Sequence, residues 1–143
     1  MALTNEQKVL VQNSFRLVAP SAAEVAAIFY RRLFEIAPEV RPMFTSDLTE
    51  QGKKLMQVLG YAVGSLDRLD SLIPAVEDLG RRHGRYGVRD EHYDAVASAL
   101  LWTLEQGLGE AFTAELREAW VAVYTLLAGV MKSAAAESEP VLA

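Results

Sequence analysis

Leu72-Ile73-Pro74-Ala75-Val76-Glu77-Asp78-Leu79-Gly80-Arg81-Arg82-His83-Gly84-Arg85-Tyr86-Gly87-Val88 is the stretch on which the reading of this chain turns. Pro74 fits a first helical turn, where the backbone N–H it lacks would be unpaired anyway, and Gly84 and Gly87 supply a stop. The segment therefore reads as a short helix. Along it Ile73, Val76, Leu79 and His83 recur at spacings of three and four, which puts the imidazole on the apolar stripe rather than among Arg81, Arg82 and Arg85. An inward histidine must satisfy both ring nitrogens, because a buried polar group left unpaired costs about 1–3 kcal/mol. One nitrogen can reach the carbonyl of Leu79, a turn earlier. The other is free to hold a metal, or to bond backbone or water as an ordinary core histidine.

The rest of the composition narrows the chemistry. A chain of 143 residues reads as one domain able to bury about two-thirds of its unfolded surface. It contains no cysteine, which removes thiolate nucleophiles, zinc–thiolate sites and iron–sulfur clusters. The first residues carry neither a charged nor an apolar leader region, and no uninterrupted apolar run approaches the roughly 18 residues of a membrane span. The expected address is cytoplasmic, with no membrane partner. A net charge of −5 argues against nucleic acid as a partner.

Taken in order, Thr4 with Gln7 forms a capping box for a first helix through Leu10, Val11, Phe15 and Val18, which ends at Pro20. Ser21 with Glu24 is expected to form a second, opening a helix through Val25, Phe29, Tyr30, Leu33 and Phe34 that stops near Pro38. Pro38 to Met43 makes a short turn ending at Phe44. After a polar link from Thr45 to Thr49, a helix places Gln51, Leu55, Val58, Leu59 and Ala62 on one face. Beyond the His83 helix, Asp90 is expected to cap a helix lined by Tyr93, Val96, Ala97, Leu100, Leu101 and Leu104, closing at Gly107 and Gly109. Thr113 begins the last helix, with Leu116, Trp120, Val123, Tyr124, Leu127 and Met131 inward. The domain is expected to span 1–133, with 134–143 a fraying tail. No stretch shows strand-type alternation, so the fold class is all-α, an angled stack of helices around a pocket.

Several chemistries lack their residues. A di-iron carboxylate bundle needs Glu three positions before each histidine, but Gly80 precedes His83 and Arg89 precedes His92 at that spacing. No HExxH, GxxxxGK or GxSxG motif is present. Arg81, Arg82, Arg85 and Arg89 form a basic cluster, yet the next helix opens with Asp90, Glu91 and Asp94, which disfavours a phosphate backbone. The cluster reads as a solvated patch, or as a surface facing cofactor carboxylates or an acidic redox partner. One histidine in an apolar setting poorly suits zinc or copper, which want three or four protein ligands; it suits haem, where the porphyrin supplies four nitrogens.

Phe29-Tyr30-Arg31-Arg32-Leu33-Phe34, Pro38-Glu39-Val40-Arg41-Pro42-Met43-Phe44, Leu79-Gly80-Arg81-Arg82-His83 and Tyr93 together resemble the single-domain bacterial haemoglobins, relatives of the globin domain of flavohaemoglobins. The likeness runs from the first helix to about Met131. It implies a globin fold, a three-on-three helical sandwich around haem b. His83 matches the proximal iron ligand and Phe44 the ring stacked on the porphyrin. Tyr30 and Gln51 match the distal pair that contacts bound gas, Leu55 the apolar residue above the iron, and Lys54 a cation facing a haem propionate. Val88, Tyr93 and Val96 match the proximal lining, whereas His92 reads as a surface or outer-shell residue. One departure stands out: the family's glutamate on the last helix, which pairs with the proximal histidine, falls at Ala135, with Glu137 close by in the expected tail.

The residues agree with what the resemblance implies, since Tyr30 and Gln51 are the polar exceptions on two apolar faces and both can donate hydrogen bonds to a ligand carrying partial negative charge. The implied function is reversible, high-affinity dioxygen binding for transport or storage, by a monomer or weak homodimer. The alternatives are nitric oxide dioxygenation with an external reductase, gas sensing through a partner, and a haem-free helical interaction protein.

Overall fold

The computed structural model describes residues 3–44, 47–85 and 88–138. Six α-helices follow one another: α1 (Asn5–Val18), α2 (Ala22–Ile36), α3 (Leu48–Gly64), α4 (Leu69–Arg85), α5 (Asp90–Leu108) and α6 (Ala114–Ser138). Single 3-10 segments at Ala19–Ser21, Pro38–Met43 and Gly109–Ala111 join three of the pairs, and no strand occurs among the described residues. The all-α expectation holds.

The ends of the helices follow local chemistry, with instructive exceptions. The capping box of α1 is present, each of Thr4 and Gln7 bonding the other's backbone N–H at 3.1 Å. Ser21 makes no capping bond, so the second box does not form; the 3-10 turn through Pro20 leads directly into α2. Asp47 caps α3 by accepting the N–H of Thr49 at 3.0 Å. Thr113 caps α6, its hydroxyl accepting the N–H of Leu116 at 3.2 Å.

Helix α4 begins a full turn before Pro74, at Leu69, so the proline sits inside the helix rather than opening it. The N–H groups of Ser71 and Leu72 reach the carbonyl of Arg68, and propagation from there absorbs a proline in the second turn. Gly87, expected to help end this helix, lies outside the described residues, as do Thr45 and Ser46 of the polar link.

The cap of α5 also differs from expectation. His92, not Asp90, does the work: its Nδ1 accepts the N–H of Arg89 at 2.9 Å, and the ring is 3% exposed. His92 is therefore a buried capping residue rather than a surface one. Helix α6 continues through Ser138, past the boundary expected at 134, and Ala134 is buried. Val58, expected on the inner face of α3, is exposed.

The larger of two buried clusters among the described residues joins α1, α2, α3, α5 and α6, with Leu66 just after α3. Val11, Leu33, Leu66, Ala99, Leu104, Trp120 and Val123 are nearly or fully buried in it. The indole N–H of Trp120 donates to the hydroxyl of Ser14 at 2.9 Å, and that hydroxyl donates to the carbonyl of Val11 at 2.9 Å, a closed chain that satisfies both polar groups in the interior. By length and composition Ala114–Ala136 is apolar enough to cross a membrane. Here it supplies core through Leu116, Ala119, Trp120 and Val123 and backs onto α1 and α4.

Two glycines set the positions of the helices that matter for the site. A Cβ at Gly52 would meet the Cβ of Ala26 at 2.9 Å, so α3 crosses α2 at the separation only glycine allows. A Cβ at Gly80 would run into the backbone of Met131, which places α4 directly against α6. Thus α3 leans on α1 and α2, while α4 leans on α6.

Candidate haem site

The proximal candidate is built on α4. His83 Nδ1 lies 2.8 Å from the carbonyl of Leu79, and because a carbonyl only accepts, Nδ1 carries the proton. Nε2, across the ring, keeps its lone pair and takes no hydrogen bond among the described residues. Burial lowers the pKa of His83 from 6.5, the bond to Leu79 opposes that shift, and the Arg82 guanidinium adds to it. The neutral imidazole so favoured is the form that binds metal. Val88 is tied to the same turn, its N–H donating to the carbonyl of His83 at 3.2 Å.

The distal candidates come from α2, α3 and the Pro38–Met43 turn. Tyr30 is 7% exposed, and its ring lies 5.3 Å from that of Phe44 in an edge-on arrangement, with Phe34 5.5 Å from Phe44 and stacked on Tyr30 at 6.0 Å. The Tyr30 hydroxyl donates to the backbone carbonyl of Gln51 at 3.3 Å, beyond the usual O–H···O range, so the bond is weak. Burial pushes the Tyr30 phenol up to about 12, which keeps it protonated and able to donate at neutral pH. Gly52, which the sequence reading passed over, makes this contact possible by letting α3 approach α2. Its signal was a glycine in a helix interior, which marks a close backbone approach.

The remaining expected residues divide. Leu55 and Val96 are half-buried against the main core. Tyr93 is buried; its carbonyl accepts the Tyr124 hydroxyl at 2.7 Å, and the Lys132 ammonium stands 5.4 Å from its ring centroid. Lys54 is exposed. The structure thus brings Tyr30, Phe44 and Gln51 into one set, His83 and Val88 into another, and Tyr93, Tyr124 and Lys132 into a third. No hydrogen bond, ion pair or ring contact joins the first set to the second among the described residues.

The donor chemistry favours a macrocyclic cofactor over a bare ion. No group of three or more His, Asp or Glu side chains that could hold a metal occurs among the described residues. His83 and the buried His92 each keep an Nε2 with no hydrogen-bond partner among the described residues, and one such imidazole is all the protein must supply to haem, whose porphyrin completes the coordination. The basic cluster is less available than its sequence suggested: Arg82 pairs with Asp78 at 3.2 Å and Arg89 with Glu91 at 3.3 Å, both exposed.

An all-helical fold carrying a partly buried imidazole whose Nδ1 is held by a backbone carbonyl and whose Nε2 takes no hydrogen bond among the described residues has the chemistry a haem-binding protein requires. The globin family profile matches residues 27–131, and the chain belongs to the globin family. Globins bind haem and, through it, diatomic gases. The neuroglobin of Tetraodon nigroviridis is 31% identical over 143 residues, covering 90% of each chain. The flavohemoprotein of Vibrio cholerae serotype O1 is 30% identical over 131 residues; the match takes in 90% of this chain and 33% of that protein. Among solved structures, an engineered carbene transferase from the Rhodothermus marinus protein named as a nitric oxide dioxygenase superposes with a TM-score of 0.86 at 29% identity, covering 95% of both chains.

Proposed function

We propose that this globin holds haem b through His83 Nε2 and reversibly binds dioxygen, with Tyr30 and Gln51 on the distal side. The observation that carries the reading is the His83 geometry: Nδ1–H fixed on the Leu79 carbonyl orients the ring and leaves one lone pair for iron. Haem supplies an iron able to bind a diatomic gas, and the chain does the rest. Phe44 would pack against the macrocycle, Leu55, Val88, Tyr93 and Val96 would line it, and Lys54 would offer a cation to a propionate. The Tyr30 phenol, kept protonated by burial, would be free to exchange its long bond to the Gln51 carbonyl for one to a gas ligand carrying partial negative charge.

Two classes of activity share these residues. Reversible carriage or storage needs only slow release. Nitric oxide dioxygenation needs, in addition, repeated reduction from outside, and the likeness to a flavohemoprotein and to the Rhodothermus marinus protein makes it the second reading. The discriminating experiment is nitric oxide consumption by the oxygenated protein with an added flavin reductase. A single stoichiometric turnover supports carriage; sustained turnover at a rate that follows reductase concentration overturns it in favour of the enzyme.

A further inference from the structure

The geometry points to Lys132 as a fixed positive charge that favours the reduced state of a haem held by His83, an inference that rests on the function proposed above. Lys132 follows Met131, whose backbone lies against Gly80 of α4, so it belongs to the part of α6 that backs the His83 helix. Its ammonium stands 5.4 Å from the centroid of the Tyr93 ring, a cation–π arrangement that holds it over the residue expected to line the proximal side. The side chain is half-buried, and no carboxylate pairs with it among the described residues.

The charge balance around His83 makes this cation matter. The imidazole donates to a neutral backbone carbonyl, where a carboxylate would push electron density onto the metal and favour the oxidised state. The Arg82 guanidinium is exposed and already paired with Asp78. Asp90 and Asp94 bring negative charge towards Tyr93 and Tyr124, but both carboxylates belong to exposed residues at the start of α5, where water and salt screen them. The Lys132 ammonium, by contrast, is held at one place against the ring of the buried Tyr93. Ferric haem carries one more positive charge than ferrous haem, so a nearby cation disfavours oxidation.

The test is a spectroelectrochemical titration of the full chain loaded with hemin, comparing the native protein with Lys132→Met and Lys132→Arg at low and high salt. Lys132→Met keeps the length of the stem without its charge, and Lys132→Gln serves in its place should Met impair folding as judged by circular dichroism. Loss of the charge is expected to shift the midpoint to lower potential, so that at a fixed ambient potential the ferric-to-ferrous ratio rises about tenfold. Lys132→Arg is expected to titrate with the native protein, and salt to narrow the gap only partly. Equal midpoints for native and Lys132→Met, or equal shifts in the Met and Arg variants, overturn the electrostatic role. A chain that takes up no hemin, or whose Soret band does not depend on His83, overturns the site itself, a separate result.

Discussion

The two faces offered to the cofactor are held by different kinds of interaction. The distal set is an aromatic cluster, Tyr30, Phe34 and Phe44, with one weak polar contact at 3.3 Å from the Tyr30 hydroxyl to the Gln51 carbonyl. The proximal side is a backbone framework: a 2.8 Å bond within α4 fixes the His83 ring, the Gly80 seam fixes α4 on α6, and the 2.7 Å bond from Tyr124 fixes the first turns of α5. The difference teaches how labour divides in such a site. In the proposed assignment the metal ligand keeps one orientation, which short bonds and tight contacts serve, and the gas-facing donor changes partners, which a long resting bond permits.

The largest effect is expected at the seam. Gly80→Val drives a branched side chain into the Met131 backbone and should destabilise the protein by about 3 kcal/mol, read as a fall in thermal midpoint and in hemin uptake. A stable Gly80→Val protein with normal hemin binding would break the claim that proximal geometry depends on close helix approach.

Tyr30→Phe tests the other face. If the hydroxyl contributes about 1.5–3 kcal/mol to holding dioxygen, its loss speeds oxygen release about tenfold to a hundredfold. Thermal stability should change little, because only a long hydrogen bond is lost from the resting fold. An unchanged off-rate measured by stopped flow removes Tyr30 from the distal role.

Tyr124→Phe should cost about 1 kcal/mol of stability by removing a short bond to the Tyr93 carbonyl, with a smaller change in oxygen release than Tyr30→Phe. A larger effect on release than on stability would erase the distinction between scaffold and donor.

The smallest effect concerns pH. Burial lowers the folded-state pKa of His83 below its ordinary 6.5, so between the two values the unfolded chain binds more protons. The His83 contribution to haem-free stability is therefore complete above pH 6.5 and is lost as pH falls towards the folded value. In His83→Gln the denaturation curves should lose this part of their acid dependence; identical pH profiles would contradict the neutral-imidazole assignment.

Much of this was legible in the sequence where the determining contacts are local. Periodicity and proline placement located the helices, the spacing of Ile73, Val76, Leu79 and His83 turned the imidazole inward, and the reach of one helical turn gave its Leu79 partner. Interactions between distant segments escaped. Pro74 reads as a helix start in the sequence because the preceding turn at Leu69 draws on the carbonyl of Arg68, which no side-chain pattern announces. Ser21 and Glu24 have capping-box spacing, but the 3-10 turn at Pro20 alters the backbone entering α2. His92 has no helical-face signature as a cap, and its burial depends on what packs over the start of α5. Gly52 and Gly80 each meet a residue far away in the chain, Ala26 and Met131 respectively, so their roles could not be read from their neighbours.

The account rests on one imidazole nitrogen binding iron, and the most direct measurement is the absorption spectrum of the hemin-reconstituted, dithionite-reduced chain before and after carbon monoxide, with His83→Gly alongside. The account predicts a Soret band that sharpens and shifts on carbon monoxide in the native protein, and that is lost in His83→Gly and regained on adding free imidazole. A native chain that stays colourless, or a Soret band indifferent to residue 83, would contradict it.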